Sequence, residues 1–366
     1  MTNSVVIGMG WHPDLFRLEA TQLIESAEFV HAHALVCAAS DVPPFISRSS
    51  LISEVLSPGG IVSVENAIES VAEAFLALNL NGSVAVKASR TGEKIATWSS
   101  REIAGEIGGK LVEAERKIDL TNPDITLRIH LLAPSNQSIH PHEFEFEPVV
   151  AWGMTIHDGD DWAKRTAPNR PFFKPISLDP KLARTMINLA CPEDGRLLDP
   201  FCGTGGLIVE GILCGIDCFG SDLAWPMVTG TRENAAWAQA RGGKGSFEIR
   251  NGSAVELPEI WEETFDGFAF DPPYGRNAWK STDGFELLCG TLSSCRSVAS
   301  DRANLVTLIP WPPAAFSEPI DSGQSFGKSW AEISAAFVES GWRIVSTIPI
   351  RVHRSLARML IHAKRV

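Results

Sequence analysis

The hydrophobic positions of this chain change their rhythm near Pro171. Before that point, Ser83-Val84-Ala85-Val86-Lys87-Ala88 alternates with the two-residue period of a strand. Ser99-Ser100-Arg101-Glu102 then reads as a capping box opening a helix, with Ile103, Ile107 and Leu111 along one face. Thr126 to Leu132 returns as a second strand, so this stretch forms a small α+β unit. Pro134 to Asp161, rich in His, Pro and acidic residues, reads as a linker or surface excursion. From Pro171 onward, helical stripes alternate with short apolar strands, the pattern of a mostly parallel sheet. Asp179-Pro180 is an N-cap followed by proline at the first helical position, and Leu182, Ala183, Met186, Ile187 and Ala190 form the buried stripe behind it. Strands are expected near 196–199, 217–221, 246–251, 265–270 and 304–309, with helices near 206–214, 225–240, 283–299 and 329–339. Trp342 to Ile350 and Arg358 to His362 close the chain as an antiparallel pair at the sheet edge.

Composition narrows the class. The length of 366 residues suits two or three domains, and 44% hydrophobic content is ample for their cores. Met1-Thr2-Asn3-Ser4-Val5-Val6 lacks the basic start of a signal peptide, and charge interrupts every apolar run well short of the roughly 20 residues of a membrane span. The expectation is a soluble, unexported protein with no membrane partner. Seven scattered cysteines do not form a disulfide framework, which favours a reducing cytoplasm. Cys214 and Cys218 lack further ligands at zinc spacing and read as small core hydrophobes, so no metal is expected.

The formal net charge of −12 is awkward for a nucleic-acid enzyme, because phosphate contacts need local positive charge. Its distribution matters more. Residues 1–54 carry 2 basic against 6 acidic side chains and residues 134–165 again 2 against 6, whereas residues 166–366 are nearly balanced at 20 against 22. Two basic clusters stand out: Lys87, Arg90, Lys94, Arg101, Lys110, Arg116 and Lys117, and a closing one at Arg351, His353, Arg354, Arg358, Lys364 and Arg365. Each taken alone favours a solvated face over an RNA footprint.

Two motifs carry the chemistry. Leu197-Leu198-Asp199-Pro200-Phe201-Cys202-Gly203-Thr204-Gly205-Gly206 is a strand running into a glycine-rich loop, where the backbone can approach a ligand and the next helix offers free amides. Asp222, 23 residues after Asp199, ends the following strand, the place for an acid that bonds ribose hydroxyls. Phe268-Ala269-Phe270-Asp271-Pro272-Pro273-Tyr274 ends a further strand with a carboxylate, two prolines and the only tyrosine of the chain. Asp271 and the Pro272 carbonyl can accept the two N–H bonds of a planar exocyclic amine while the prolines fix φ and Tyr274 stacks on the base. By contrast, Gly8-Met9-Gly10 lacks the third glycine of a dinucleotide loop and reads as an ordinary turn.

These motifs, with Arg170-Pro171-Phe172-Phe173-Lys174-Pro175, Asn122-Pro123-Asp124 and the closing His353-Arg354-Ser355-Leu356-Ala357-Arg358, resemble the THUMP-domain tRNA guanosine N2-methyltransferases. Within that family the resemblance is to the archaeal enzymes that mono- or dimethylate guanosine 10 of tRNA. It implies an α/β chain: a Rossmann-like, S-adenosylmethionine-dependent methyltransferase domain at 166–366, preceded by a ferredoxin-like segment at 1–54, a THUMP domain at 55–133 and a linker at 134–165. It further implies S-adenosyl-L-methionine as cofactor, held by Asp199, Phe201, Gly203, Thr204, Gly205, Asp222, Leu223, Ser253 and Ala254. Ser253 stands where the family usually has an acid beside the adenine. The catalytic set would be Asp271, Pro272, Pro273 and Tyr274, and the RNA contacts Lys87, Arg90, Lys94, Arg101, Arg276 and Arg354. The implied partner is tRNA, with the need for a small activating subunit left open. The competing readings are N2-methylation of another tRNA or rRNA guanosine, methylation of a DNA adenine, and a THUMP protein that binds RNA without catalysis.

Overall fold

The structure is a computed structural model that describes residues 3–8, 12–95, 98–133, 146–175, 177–273, 282–313, 320–353 and 356–366. The chain divides into two compact units, Met1–Asp160 and Asp161–Val366.

The first unit is built on one seven-stranded sheet. Its elements are β1 (Asn3–Gly8), α1 (Pro13–Leu23), β2 (Glu28–His31), β3 (Ala34–Ala38), α2 (Val42–Arg48), β4 (Ile52–Ser63), α3 (Ala67–Leu76), β5 (Val84–Thr91), α4 (Ser100–Glu113), β6 (Ile125–Leu132) and β7 (Val149–His157). The strand order is β2-β3-β1-β4-β7-β6-β5. Among these seven strands only β5 and β6 pair with each other in parallel, joined across α4. The expected capping box is present at Ser99 and Glu102, and the face carrying Ile103, Ile107 and Leu111 is fully buried against Val84, Leu127 and Ile129 together with Phe75 of α3. Two features depart from the segment boundaries expected from the sequence. The long strand β4 runs across position 54, so residues on either side of it share one sheet. Strand β7 falls inside the stretch read as a linker, where Val150 and Ala151 are buried between β4 and β6. Its apolar run follows directly on acidic residues, and that masks its strand period in the sequence.

The second unit follows the expected alternation. It contains α5 (Pro180–Ala190), β8 (Arg196–Asp199), α6 (Gly206–Leu213), β9 (Asp217–Asp222), α7 (Trp225–Gln239), β10 (Phe247–Asn251), the short α8 (Leu257–Ile260), β11 (Phe265–Phe270), α9 (Thr282–Ser297), β12 (Ala299–Trp311), the small hairpin of β13 (Gln324–Ser325) and β14 (Lys328–Ser329), α10 (Trp330–Glu339), β15 (Trp342–His353) and β16 (Leu356–Arg365). The main sheet has the order β10-β9-β8-β11-β12-β16-β15. Strands β10, β9, β8, β11 and β12 are parallel, whereas β16 and β15 are antiparallel. Because the order reverses between β8 and β11, the helices that follow them leave to opposite faces, and a crevice opens beyond the strand ends. The carboxyl ends of β8, β9, β10 and β11 therefore share one edge, with Asp199, Asp222, Asn251 and Asp271 beside one another.

Helix α6 is anchored from below. Glu210 is fully buried and accepts from Arg184 at 2.8 Å and Arg165 at 3.4 Å, while both guanidiniums lie over the Trp162 ring, 4.5 Å away for Arg165 and 5.7 Å for Arg184. The chain segment entering this unit is thereby tied to the helix that carries the glycine-rich loop. Glu210→Ala removes the carboxylate from the buried Arg184 and should lower stability by about 3–5 kcal/mol, the cost typical of breaking one side of a buried ion pair. Urea unfolding of the full chain measures it, and a loss below about 1 kcal/mol would show that the pair does not secure α6.

Candidate active site

Asp199 closes β8 with Leu197 and Leu198 wholly buried behind it, and is itself 2% exposed. Its Oδ1 accepts from the Phe201 amide at 3.0 Å, turning the chain out of the strand. Burial pushes its pKa far above the usual carboxylate value; the charges of Asp222 and Asp271 push it in the same direction, and the Phe201 amide acts against them. The chain then passes through Gly203 and Gly205 at φ +51° and +75°, backbone that favours glycine, and enters α6 without a side-chain cap. A Cβ on Gly203 would find only the Phe201 carbonyl oxygen, 3.7 Å away, so this side of the loop is open.

The loop is held from behind by residues of α7 that sequence reasoning did not single out. Thr231 Oγ1 donates to the Gly203 carbonyl at 2.8 Å, and Asn234 Nδ2 donates to the carbonyls of Thr204 at 2.8 Å and Phe172 at 2.6 Å. Asp222 takes the loop from the front: Oδ2 accepts from Gly203 N at 3.0 Å and Oδ1 from Ala224 N at 2.8 Å. Each oxygen keeps acceptor capacity for a further donor. Asn251, at the end of β10, donates to the carbonyls of Asp222 and Leu223 at 2.8 and 2.9 Å and fixes the direction of that acid. Leu223 is 74% exposed next to it, an apolar surface beside a carboxylate. Ala254 is buried and Ser253 half-buried, both following Gly252, where a Cβ would collide with Ile260 at 2.2 Å.

The second motif meets the first through a ring contact, Phe201 on Phe270 with centroids 5.8 Å apart. Asp271 follows directly. Its Oδ1 is closed to solvent and has no hydrogen-bond partner among the described residues, so the 30% exposure of the side chain falls on the rest of it. The cation facing it is Arg358 of β16, whose Nε lies 3.7 Å from Oδ1, too far for a hydrogen bond. Burial raises the Asp271 pKa to about 6, with Arg358 pulling it down. Pro272 is buried and Pro273 exposed. Tyr274 and Arg276, and Arg354 near the other end of the chain, lie outside the described residues. Arg358, in the same closing motif as Arg354, is the neighbour to which the sequence reading gave no individual role.

The candidate RNA contacts of the first unit do not form one patch. Strand alternation puts Arg90 with Val86 and Ala88 on the face covered by α4, and Lys87 with Ser89 on the other. Lys87 borders a depression of about 730 Å3 whose lining includes Glu54, Asp124, Arg128, Thr155 and Asp158. Glu54 is buried there under Arg128 at 3.0 Å, His130 at 2.6 Å and the Thr155 hydroxyl; burial pushes its pKa up, but these partners together outweigh it and lower it to about 2. Lys94 and Arg101 are exposed. Arg116 donates instead to the Leu80 and Gly82 carbonyls and serves the local fold.

The second unit thus gathers an open glycine loop, two carboxylates with spare acceptor capacity and an apolar rim at one sheet edge. With seven strands in this order and a glycine loop at the switch point, the second unit has a Rossmann-like methyltransferase architecture. Residues 168–310 match the RMKL-like methyltransferase domain and residues 63–133 the THUMP domain, so the chain carries both. It is 28% identical over 253 residues to the tRNA (guanine(10)-N2)-dimethyltransferase of Pyrococcus abyssi, covering 69% of this chain and 65% of that one. It is 34% identical over 190 residues to the enzyme of the same name from Methanothermobacter thermautotrophicus, covering 51% and 54% respectively. The chain thus spans about half to two-thirds of the length of these relatives. The crystal structure of TrmN from Thermus thermophilus superposes over the full length of both chains with a TM-score of 0.52 at 18% identity, a likeness of fold. Among the described residues no helix is long and apolar enough to cross a membrane, and no group of His, Cys, Asp and Glu is arranged to hold a metal ion.

The geometry at Asp271 makes its titration a direct probe of the site. Carbon-13 NMR of its carboxyl should show a midpoint near pH 6, and Arg358→Gln should move it upward because the Arg358 charge that lowers it is removed. A midpoint near 4 in the folded protein would mean that Asp271 stands in water.

Proposed function

We propose that this chain transfers a methyl group from S-adenosylmethionine to the exocyclic N2 of a guanosine in tRNA, at position 10. The observation that carries the reading is the juxtaposition, across the switch point, of the Asp222-held glycine loop and Asp271 with its unpartnered Oδ1. S-adenosylmethionine, when bound, supplies an electrophilic methyl on a sulfonium. Asp222 would accept from the ribose hydroxyls, and Gly203, Thr204 and Gly205 would lie along the methionine chain. Phe201, Leu223, Ser253 and Ala254 would line the remainder of the cofactor.

The guanine amine is a poor nucleophile because its lone pair is delocalised into the ring. Asp271 and the Pro272 carbonyl would each accept one of its N–H bonds and hold it in line with the methyl. As positive charge passes from sulfur to nitrogen, the Asp271 carboxylate gains more from the product-like amine than from the starting one, which favours the transition state. It can then hold the proton that the methylated amine sheds. Tyr274 would stack on the base. Lys87, Arg90, Lys94, Arg101, Arg276 and Arg354 would contact RNA phosphates, Lys87 from a different face of the sheet than Arg90. None of the seven cysteines is in a disulfide, which suits a reducing cytoplasm as the place of action.

Incubation of the purified full chain with S-adenosylmethionine and an unmodified tRNA transcript, followed by nucleoside mass spectrometry and mapping, tests the reading. N2-methylated guanosine at position 10 is expected, and its appearance with the chain alone would show that no activating subunit is required. Asp271 must be ionised to accept the amine, so the single-turnover rate should rise through about pH 6 and then level off. Asp271→Asn should abolish that rise and slow transfer by roughly a hundredfold or more. Methylation of adenosine, or binding of tRNA without any transfer, would replace this reading with one of its rivals.

A further inference from the structure

Arg170 is 4% exposed and lies just ahead of α5, outside every role assigned so far. Its Nε donates to the Arg165 carbonyl at 2.9 Å, but Nη1 and Nη2 are buried without a hydrogen-bond partner among the described residues. Glu210, the acid acting most strongly on it, does not take up this fork: its Oε2 serves Arg184 and Arg165, and its Oε1 meets no donor. A buried cation with two idle donors is costly unless an anion completes it. Nη1 stands 3.5 Å from the point where a Cβ of Gly206 would be, so the guanidinium lies against the first residue of α6. Among the described residues no side chain caps that helix end, and the hydroxyls of Ser177 and Thr204, 3.3 Å apart, bring the segment ahead of α5 against the glycine loop.

We propose that the Nη1–Nη2 edge of Arg170, with the uncapped first turn of α6, anchors the α-carboxylate of the cofactor's methionine chain. This rests on the cofactor reading above and assigns a positioning residue within it. A planar guanidinium suits a carboxylate bidentately, and a helix N-terminus adds amide donors and a favourable dipole. Fixing the carboxylate sets how far along the loop the sulfonium lies, and hence where the methyl meets Asp271.

Two thioether ligands separate anchoring from support of the fold. S-adenosylhomocysteine carries the amino-acid tail, and 5′-methylthioadenosine has the same nucleoside and sulfur without it. Calorimetry on the full chain should show Arg170→Met weakening S-adenosylhomocysteine by about tenfold or more, the size expected for lost charge-assisted hydrogen bonds, with 5′-methylthioadenosine within about twofold of wild type. Arg170→Lys, which keeps the charge and loses the fork, should fall between for the first ligand and leave the second unchanged, and it carries the test if the methionine variant does not fold. Equal losses for both ligands, or undiminished affinity for S-adenosylhomocysteine, would overturn the anchor while the cofactor reading stands. A wild-type chain that binds neither ligand would defeat both.

Discussion

A single constraint of parallel sheets governs the second unit: strands that run the same way must be joined by crossovers, and where the strand order reverses the crossovers part to opposite faces. Between β8 and β11 that parting leaves the strand ends uncovered, and side-chain contacts tie neighbouring strand ends to one another along this edge. Asp222 bonds the Gly203 amide of the neighbouring strand's loop, and Asn251 bonds the carbonyls of Asp222 and Leu223 from one strand further. The edge is thus a ladder of polar contacts in which each strand end sets the position of the next. The aromatic contact of Phe201 with Phe270 extends that ladder to Asp271.

The electrostatic consequence follows from the same crowding. Three carboxylates, Asp199, Asp222 and Asp271, converge at one edge, and the charges of the latter two raise the proton affinity of the first. Asp199 is buried and its Oδ1 is bonded to its own turn, while Asp222 and Asp271 keep acceptor capacity. Such a field favours a cation moving through it, from a sulfonium at one end to an alkylated amine at the other.

Much of this arrangement was legible in the residues, because apolar strand cores and glycine-rich turns follow short-range rules. The strands around Asp199, Asp222 and Asp271, the caps at Ser99 and Asp179, and the antiparallel closing pair stand where periodicity and capping put them. What sequence could not supply was long-range. Thr231 and Asn234 look like ordinary helix positions until α7 is seen to lie behind the glycine loop, and Arg358 becomes the counter-charge of Asp271 only because β16 pairs beside β12. Lys87 and Arg90 looked like one basic patch, yet alternation along β5 separates them. Strand β7 was hidden because an apolar run placed among acidic residues has no local signature of its partners β4 and β6.

The central claim is that one edge holds both the cofactor and the reacting amine, with Asp222 and Asp271 as its two fixed points. A crystal structure of the full chain with sinefungin, an analogue in which an amine replaces the transferable methyl, tests it most directly. The account predicts ribose hydroxyls on Asp222 and the analogue's amine directed at the Asp271 carboxylate, within about 4 Å of an oxygen, the reach of an ion pair. Sinefungin bound elsewhere, or with its amine turned away from Asp271, would contradict it.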